Sequence, residues 1–258
     1  MSDPTDRIAL VTGAGRGIGR AVAVRLAAEG ALVAVHYGRD DEAAQSTVRE
    51  IRDAGGSAFA VRAEFGALGA LDELWRRYDE GVAAVRGGSG PAPVDILVNN
   101  AGITVPRGVR DLEEADWDRL FAVNAKAPFF LVQGALPRLR DGGRIVNVTT
   151  AATRVAMPVI AAYTMTKAAL ETFTVDLALE LGPRGITVNA VAPGYTDTDI
   201  NPDMKVPAQR EAMAATTALR RVGTPGEVAD VVAYLAGPGG RWVTGQRIEA
   251  AGGVRLGL

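Results

Sequence analysis

Two side chains four residues apart, Tyr163 and Lys167, carry the first chemical signal in this sequence. On a helix that spacing sets both on one face, about one turn apart. A phenol has an ordinary pKa of about 10, too high for ready proton exchange at neutral pH. An ammonium alongside favours the phenolate and lowers that value. Thr150, thirteen residues before Tyr163, stands at the end of an apolar, strand-like run, where its hydroxyl can share a substrate carbonyl oxygen with the phenol. Together they would form an acid and a polarising donor. Tyr and Lys at this spacing also arise by chance in many helices, so the pair gains meaning only from its surroundings.

A second signal lies near the amino terminus, in Thr12-Gly13-Ala14-Gly15-Arg16-Gly17-Ile18-Gly19. An apolar run precedes it and a helical pattern follows. Glycines in that setting allow a tight turn and close backbone approach, so that a pyrophosphate sits on the helix amides. The next apolar run, Leu32 to Tyr37, should end beside an adenosine ribose, where an acidic side chain would bond the 2′-hydroxyl of NAD. His36-Tyr37-Gly38-Arg39 stand there instead. Arg16 and Arg39 are suited to grip a 2′-phosphate, which selects NADP(H). The other reading, in which Asp40 or Asp41 serves the ribose and the two arginines are surface charges, stays open. His36, the only histidine, reads as a strand-end contact on the adenosine side.

The elements that must position these groups alternate along the chain. Strands are expected near 7–12, 32–37, 57–62, 94–98, 143–149, 185–192 and 247–249. Helices are expected at about 17–29, 40–54, 68–85, 111–138, 162–181 and 225–236. Fully apolar strand cores such as Ile96-Leu97-Val98 are those of strands buried on both faces. The fold class is therefore α/β, a doubly wound, Rossmann-type parallel sheet of about seven strands, with its site beyond the strand carboxyl ends. One domain, 1–258, is expected, because no interior linker divides it. Arg86 to Pro93, rich in Gly and Pro, reads as an exposed loop entering the fourth strand, and 194–215 as a mobile segment over the site.

Composition narrows the partners. An apolar fraction of 48 % with 22 % charged residues and a net charge of -2 suits a soluble globular protein. It offers no clustered positive charge for nucleic acid or anionic membranes. Without cysteine and with a single histidine, no metal site is expected. No apolar run approaches the about 18 residues a membrane span needs, and the polar first residues carry no leader-like segment, so the cytoplasm is the expected location.

Order and spacing along the whole chain, from about residue 6 to 253, resemble the single-domain short-chain dehydrogenase/reductase family, including its 3-oxoacyl-carrier-protein-reductase-like members. The matches are Thr12 to Gly19 for T-G-x-x-x-G-x-G, Asn99-Asn100-Ala101-Gly102 for N-N-A-G, and Tyr163 to Lys167 for Y-x-x-x-K. Val123-Asn124-Ala125, Pro193-Gly194, Thr244-Gly245-Gln246 and Gly252-Gly253 match as well. The resemblance implies that Tyr163 is the acid/base and that Lys167 lowers its pKa and holds the nicotinamide ribose. Asn124 would anchor a proton-relay water. Asn99 to Gly102 would line the cofactor cleft, with Pro193, Gly194, Thr196 and Thr198 at the nicotinamide end. It also implies a homotetramer built on the fourth and fifth helices, which carry apolar residues on more than one face, Phe129, Phe130, Leu131 and Val132 and Leu170, Phe173, Leu177 and Leu179.

Three positions depart from the family pattern. Thr150 replaces the usual serine and keeps the hydroxyl, while the adjacent Thr149 should point to the other face of the strand. Glu64-Phe65 stands where an Asp usually meets the adenine, and Ala251 where an acid or amide usually precedes the two glycines. The reaction expected is reversible hydride transfer between nicotinamide and a ketone or aldehyde, with reduction by NADPH as the physiological direction. Oxidation of a sugar or polyol is the nearest enzymatic alternative. A non-catalytic dinucleotide-binding regulator is the alternative outside enzymes, and retention of Asn124, Thr150, Tyr163 and Lys167 argues against it. Glu171, Asp176 and Glu180 after Lys167 argue against an acidic carrier protein as substrate, while Lys126, Arg138 and Arg140 keep that substrate open.

Overall fold

Seven parallel strands in the order β3-β2-β1-β4-β5-β6-β7 form the sheet that carries the site. The structure, a computed structural model, describes residues 7–254, so the polar amino-terminal stretch and the last four residues lie outside the described residues. The strands are β1 (Ile8–Val11), β2 (Leu32–Tyr37), β3 (Ser57–Arg62), β4 (Val94–Asn99), β5 (Leu139–Val148), β6 (Thr187–Pro193) and β7 (Arg247–Ala250). Between them lie α1 (Gly17–Ala28), α2 (Asp41–Asp53), α3 (Ala70–Arg86), α4 (Glu114–Phe121), α5 (Ala127–Ala135), α6 (Ala161–Leu181), α7 (Pro207–Ala215) and α8 (Pro225–Ala236).

Strand alternation divides the core into two layers. Ala9, Val11, Val33, Val35, Ile96 and Val98 pack against α1, α2 and α8. Ile8, Leu10, Leu32, Leu97, Ile145 and Val188 face α3, α5 and α6. Every residue of β1, β2, β4 and β6 is buried. That is why these strands read as largely apolar runs, with a few buried polar residues such as His36, Asp95 and Asn189 among them. The chain reverses direction across the sheet between β1 and β4, which places a crevice at their carboxyl ends. Among the described residues no helix is long and apolar enough to cross a membrane.

Two expected elements differ. The single helix over 111–138 is instead α4, one π-helical stretch at Ala122–Lys126, and α5. Pro128 brings no N–H for the carbonyl of Asn124 four residues back, so regular α hydrogen bonding cannot pass this point. The stretch 194–215 also holds a helix where its weak helical character led to none being expected. It makes a parallel bridge from Thr196 to Gly223 and then forms α7, although none of the residues of α7 is buried. The Gly- and Pro-rich stretch before β4 is exposed through Pro91, as expected, and is pinned at its end where the Ala92 amide donates to Asp79 (2.8 Å).

Candidate active site

The glycine loop is held from below by one hydroxyl. Thr12 Oγ1 accepts from the amides of Asn100 (2.9 Å) and Ala101 (3.0 Å) and donates to the Val98 carbonyl (3.2 Å). The Asn100 side-chain amide donates back to the carbonyls of Thr12 (2.8 Å) and Gly13 (3.1 Å). The loops after β1 and β4 are thereby one unit, with Asn100, Ala101 and Gly102 beside Gly13. Gly13 and Gly17 have φ of 63° and 55°, the left-handed region where a side chain is strained. A Cβ on Gly19 would lie 2.2 Å from the Gly13 carbonyl oxygen, so the helix packs on the loop only because that residue is glycine. α1 starts at Gly17 with no side-chain cap and no acid in its first turn. Its amides, with Gly15 and Ile18 alongside, form a cradle for an anion.

His36 is a strut of this loop. It is buried, accepts from the Gly13 amide at Nδ1 (3.2 Å), donates from Nε2 to the Ala63 carbonyl (2.9 Å), and stacks on Phe65 at 4.4 Å. Burial pushes its pKa down to about 4, so the ring is neutral with the proton on Nε2. It contacts the loop backbone, which the sequence reading, placing it against adenosine, did not foresee.

Beside it, Tyr37 is buried, and its hydroxyl donates to Asp41, so this side chain is committed to the start of α2. Asp40 caps α2 by accepting from the Ala43 amide (3.0 Å). Both acids left open for the ribose thus have other partners. Gly38 is followed by Arg39, whose guanidinium pairs with Glu64 (Nε to Oε1, 2.8 Å). Arg16 is exposed, and its guanidinium has no partner among the described residues.

The catalytic candidates converge where β5 ends and α6 begins. Thr150 follows β5, accepts from the Ala152 amide at 3.2 Å, and lies close enough to the phenol of Tyr163 to pull its pKa down. Thr149 is buried, and its hydroxyl donates instead to the Val191 carbonyl (3.3 Å). Lys167, also buried, donates to the Val148 carbonyl (2.9 Å), with Nζ 6.0 Å from the Tyr163 ring. Burial pushes the phenol up to about 12 against the opposing pull of the Thr150 hydroxyl, and pushes the lysine down to about 8. Desolvation sets the direction for the phenol, and the group that opposes it is Thr150.

Asn124 lies buried in the π-helical stretch, and its side chain is fully engaged. It accepts from the Ile103 amide (2.9 Å) and donates to the Ile103 carbonyl (2.9 Å) and Thr166 Oγ1 (3.1 Å). A Cβ on Gly102 would lie 3.2 Å from Lys167 Nζ and 3.4 Å from Asn124 Oδ1, so these three residues share one small space. Pro193 and Gly194 end β6 in contact with Ala251, since a Cβ on Gly194 would lie 2.8 Å from the Ala251 Cα. Thr196 donates to the Gly194 carbonyl (3.2 Å), and Thr198 packs over Gly17. Two hollows flank the site, and neither is lined by Tyr163 or Lys167. One of 340 Å³ lies between Trp117 and Met165. The other, of 640 Å³, lies between α1 and α8 and adjoins Gly17 and Thr198. Among the described residues no cluster of His, Cys, Asp or Glu could hold a metal ion.

The sequence reading missed Arg247, which donates to the Thr150 carbonyl, and weighed Glu171 only as negative charge against an acidic carrier protein, whereas it pairs with that arginine. Glu171 lies one turn beyond Lys167, on the face of α6 that carries Tyr163, and that spacing was the available signal.

A family model described as enoyl-(acyl carrier protein) reductase matches residues 13–255. A hydroxynaphthalene reductase-like protein, Arp2, from Metarhizium majus is 38 % identical over 260 residues, covering 96 % of this chain and 94 % of the relative. The solved structure of the promiscuous reductase LugOII, which catalyses keto-reduction at C1 during lugdunomycin biosynthesis, is 49 % identical. It superposes with a TM-score of 0.94 over 99 % of this chain and 100 % of its own. The angucycline C-6 ketoreductase LanV with bound NADP is 45 % identical, with a TM-score of 0.93 over 97 % and 96 %. With the glycine cradle, the Thr150–Tyr163–Lys167 arrangement and these likenesses along the same residues, the chain belongs to the short-chain dehydrogenase/reductase family and is an oxidoreductase acting on CH–OH and C=O groups.

Proposed function

We propose that this protein is an NADPH-dependent reductase of a ketone carried on a fused aromatic ring system. The observation that carries the chemistry is the placing of the Thr150 hydroxyl beside the Tyr163 phenol, with Lys167 one turn further along α6. Support for the substrate class comes from the relatives, whose names give hydroxynaphthalene and angucycline reduction. Exposed apolar side chains on the loops beyond β4, β5 and β6, Val109, Val159 and Ile200, suit such rings.

The residues fit a dinucleotide. The cradle at Gly13 to Gly19 would take the pyrophosphate, Arg16 with Arg39 the 2′-phosphate, and Glu64 and Phe65 the adenine side. Asn100 to Gly102, Pro193, Gly194, Thr196 and Thr198 would line the nicotinamide end. The bound nicotinamide supplies the hydride for the carbonyl carbon. Tyr163 gives its phenolic proton to the carbonyl oxygen, and Thr150 donates a hydrogen bond that steadies the charge developing there. Lys167 supplies positive charge beside the phenolate that results and holds the ribose. Asn124 fixes the strand-end loop at Ile103 and keeps the proton path open.

The same reading takes the chain as one cytoplasmic domain that assembles as a homotetramer. Its support is that Phe129 and Phe130 on α5 and Val175 and Leu179 on α6 face outward, unlike Leu131, Leu170 and Leu177. The testing experiment is a screen of fused-ring ketones, simple ketones and sugars with NADPH, followed by loss of the reduced nicotinamide absorbance. Turnover of the fused-ring ketones above the rest is expected.

A further inference from the structure

The catalytic hydroxyl is held from the far edge of the sheet. β7 is the last strand, and its Ile248 joins the α1 and α8 layer, so alternation turns Arg247 toward α6. There the guanidinium is only 9 % exposed and distributes its donors over two elements. Nε donates to Glu171 on α6 (2.7 Å), and Nη1 to Glu249 (2.5 Å). Nη2 donates to the Thr150 carbonyl (3.1 Å) and Thr153 Oγ1 (3.2 Å). The Thr153 hydroxyl lies within donating distance of both the Thr150 carbonyl (3.0 Å) and Glu171 (2.9 Å), and its one hydrogen goes to either.

This network closes on the reacting groups. Glu171 is two turns along α6 from Tyr163, with Lys167 between, and the Thr150 hydroxyl lies beside the phenol. We propose that Arg247, clamped by Glu171, is a positioning residue that fixes the Thr150 backbone and through it the aim of the Thr150 hydroxyl at Tyr163. A threonine makes the aim depend on its backbone, because branching at Cβ restricts χ1. A planar guanidinium suits the task, since its fork reaches the carboxylate and the carbonyl together, and a lysine's single nitrogen does not.

The inference rests on the catalytic reading above and is tested by a double-mutant cycle in the full-length protein, with melting temperature measured for each variant. Arg247→Gln should lower kcat about ten-fold and leave the KM for NADPH within about two-fold. In the Thr150→Val background the same substitution should change kcat by less than about two-fold, because the hydroxyl it positions is gone. Glu171→Gln should reproduce the pattern, and Arg247→Lys should fall between wild type and Arg247→Gln. Equal losses in both backgrounds, or a kcat loss that merely follows the melting temperature, overturn the inference. Should Arg247→Gln fail to fold, the Glu171→Gln and Arg247→Lys cycles decide in the same way. Tyr163→Phe is the separate control. An active Tyr163→Phe variant removes the catalytic reading itself, whereas an inactive one with additive losses in the cycle removes only the role of Arg247.

Discussion

The hydroxyl of Thr150 lies beside the phenol of Tyr163 and pulls its pKa down, while the hydroxyl of Thr149 points away to the Val191 carbonyl at 3.3 Å. Two adjacent threonines thus have opposite fates. Thr150→Val keeps the shape and deletes the donor, and should raise the barrier by roughly 2–4 kcal/mol with NADPH affinity nearly unchanged. Thr150→Ser should retain most activity. Steady-state kcat and KM for the wild type, these two variants and Thr149→Val check this. Loss of kcat in Thr149→Val alone would show that the wrong hydroxyl has been assigned.

Lys167 should govern the alkaline side of the pH profile. Burial holds its pKa at about 8 and that of Tyr163 at about 12, so the phenol stays protonated across the neutral range while the ammonium is lost above about 8. Reductive kcat is therefore expected to fall with a single-proton slope as pH rises through about 8. Lys167→Arg, whose cation persists, should move that fall upward in whatever activity remains. A flat profile through pH 9 in the wild type would contradict the assignment.

Acid should attack the cofactor loop through His36. The unfolded chain takes up this proton near pH 6.5 and the folded chain only near 4, so stability falls as pH drops between those values. The loss amounts to about 3 kcal/mol. Protonation also removes the Nδ1 acceptor of the Gly13 amide, so NADPH affinity should weaken over the same interval. Urea unfolding at pH 7 and pH 4.5 should show a smaller acid loss for His36→Asn than for wild type. Equal losses would refute the strut.

Cofactor choice separates the two arginines. Arg16 has no partner among the described residues, whereas Arg39 must leave Glu64 to meet a phosphate. Arg16→Ala should raise the KM for NADPH by roughly ten-fold and barely touch that for NADH. Arg39→Ala should do the same more weakly, and Glu64→Gln, which frees Arg39, should improve NADPH. Parallel changes for both cofactors would count against a 2′-phosphate site.

How far the fold was legible follows from which features are local. β1, β2, β4 and β6 were readable because strands buried on both faces are apolar at most positions. The break between α4 and α5 depended on one missing N–H at Pro128, which apolar periodicity does not register. α7 lacked an apolar face because none of its residues is buried, so it left no periodic trace. Within the site, Tyr163 and Lys167 announced themselves by spacing on one helix. The partnership of Glu171 with Arg247, 76 residues apart, did not, because only the folded sheet brings β7 beside α6. The same holds for Tyr37 and Arg39, whose side chains found protein partners that sequence order could not rank.

The central claim is that Tyr163 gives the proton in an NADPH-dependent carbonyl reduction. The direct measurement is single-turnover oxidation of bound NADPH by a fused-ring ketone in wild type and Tyr163→Phe, with NADPH binding measured separately. The account predicts rapid turnover in wild type, and at least about a thousand-fold loss in Tyr163→Phe with binding preserved. Comparable single-turnover rates in the two proteins would contradict it.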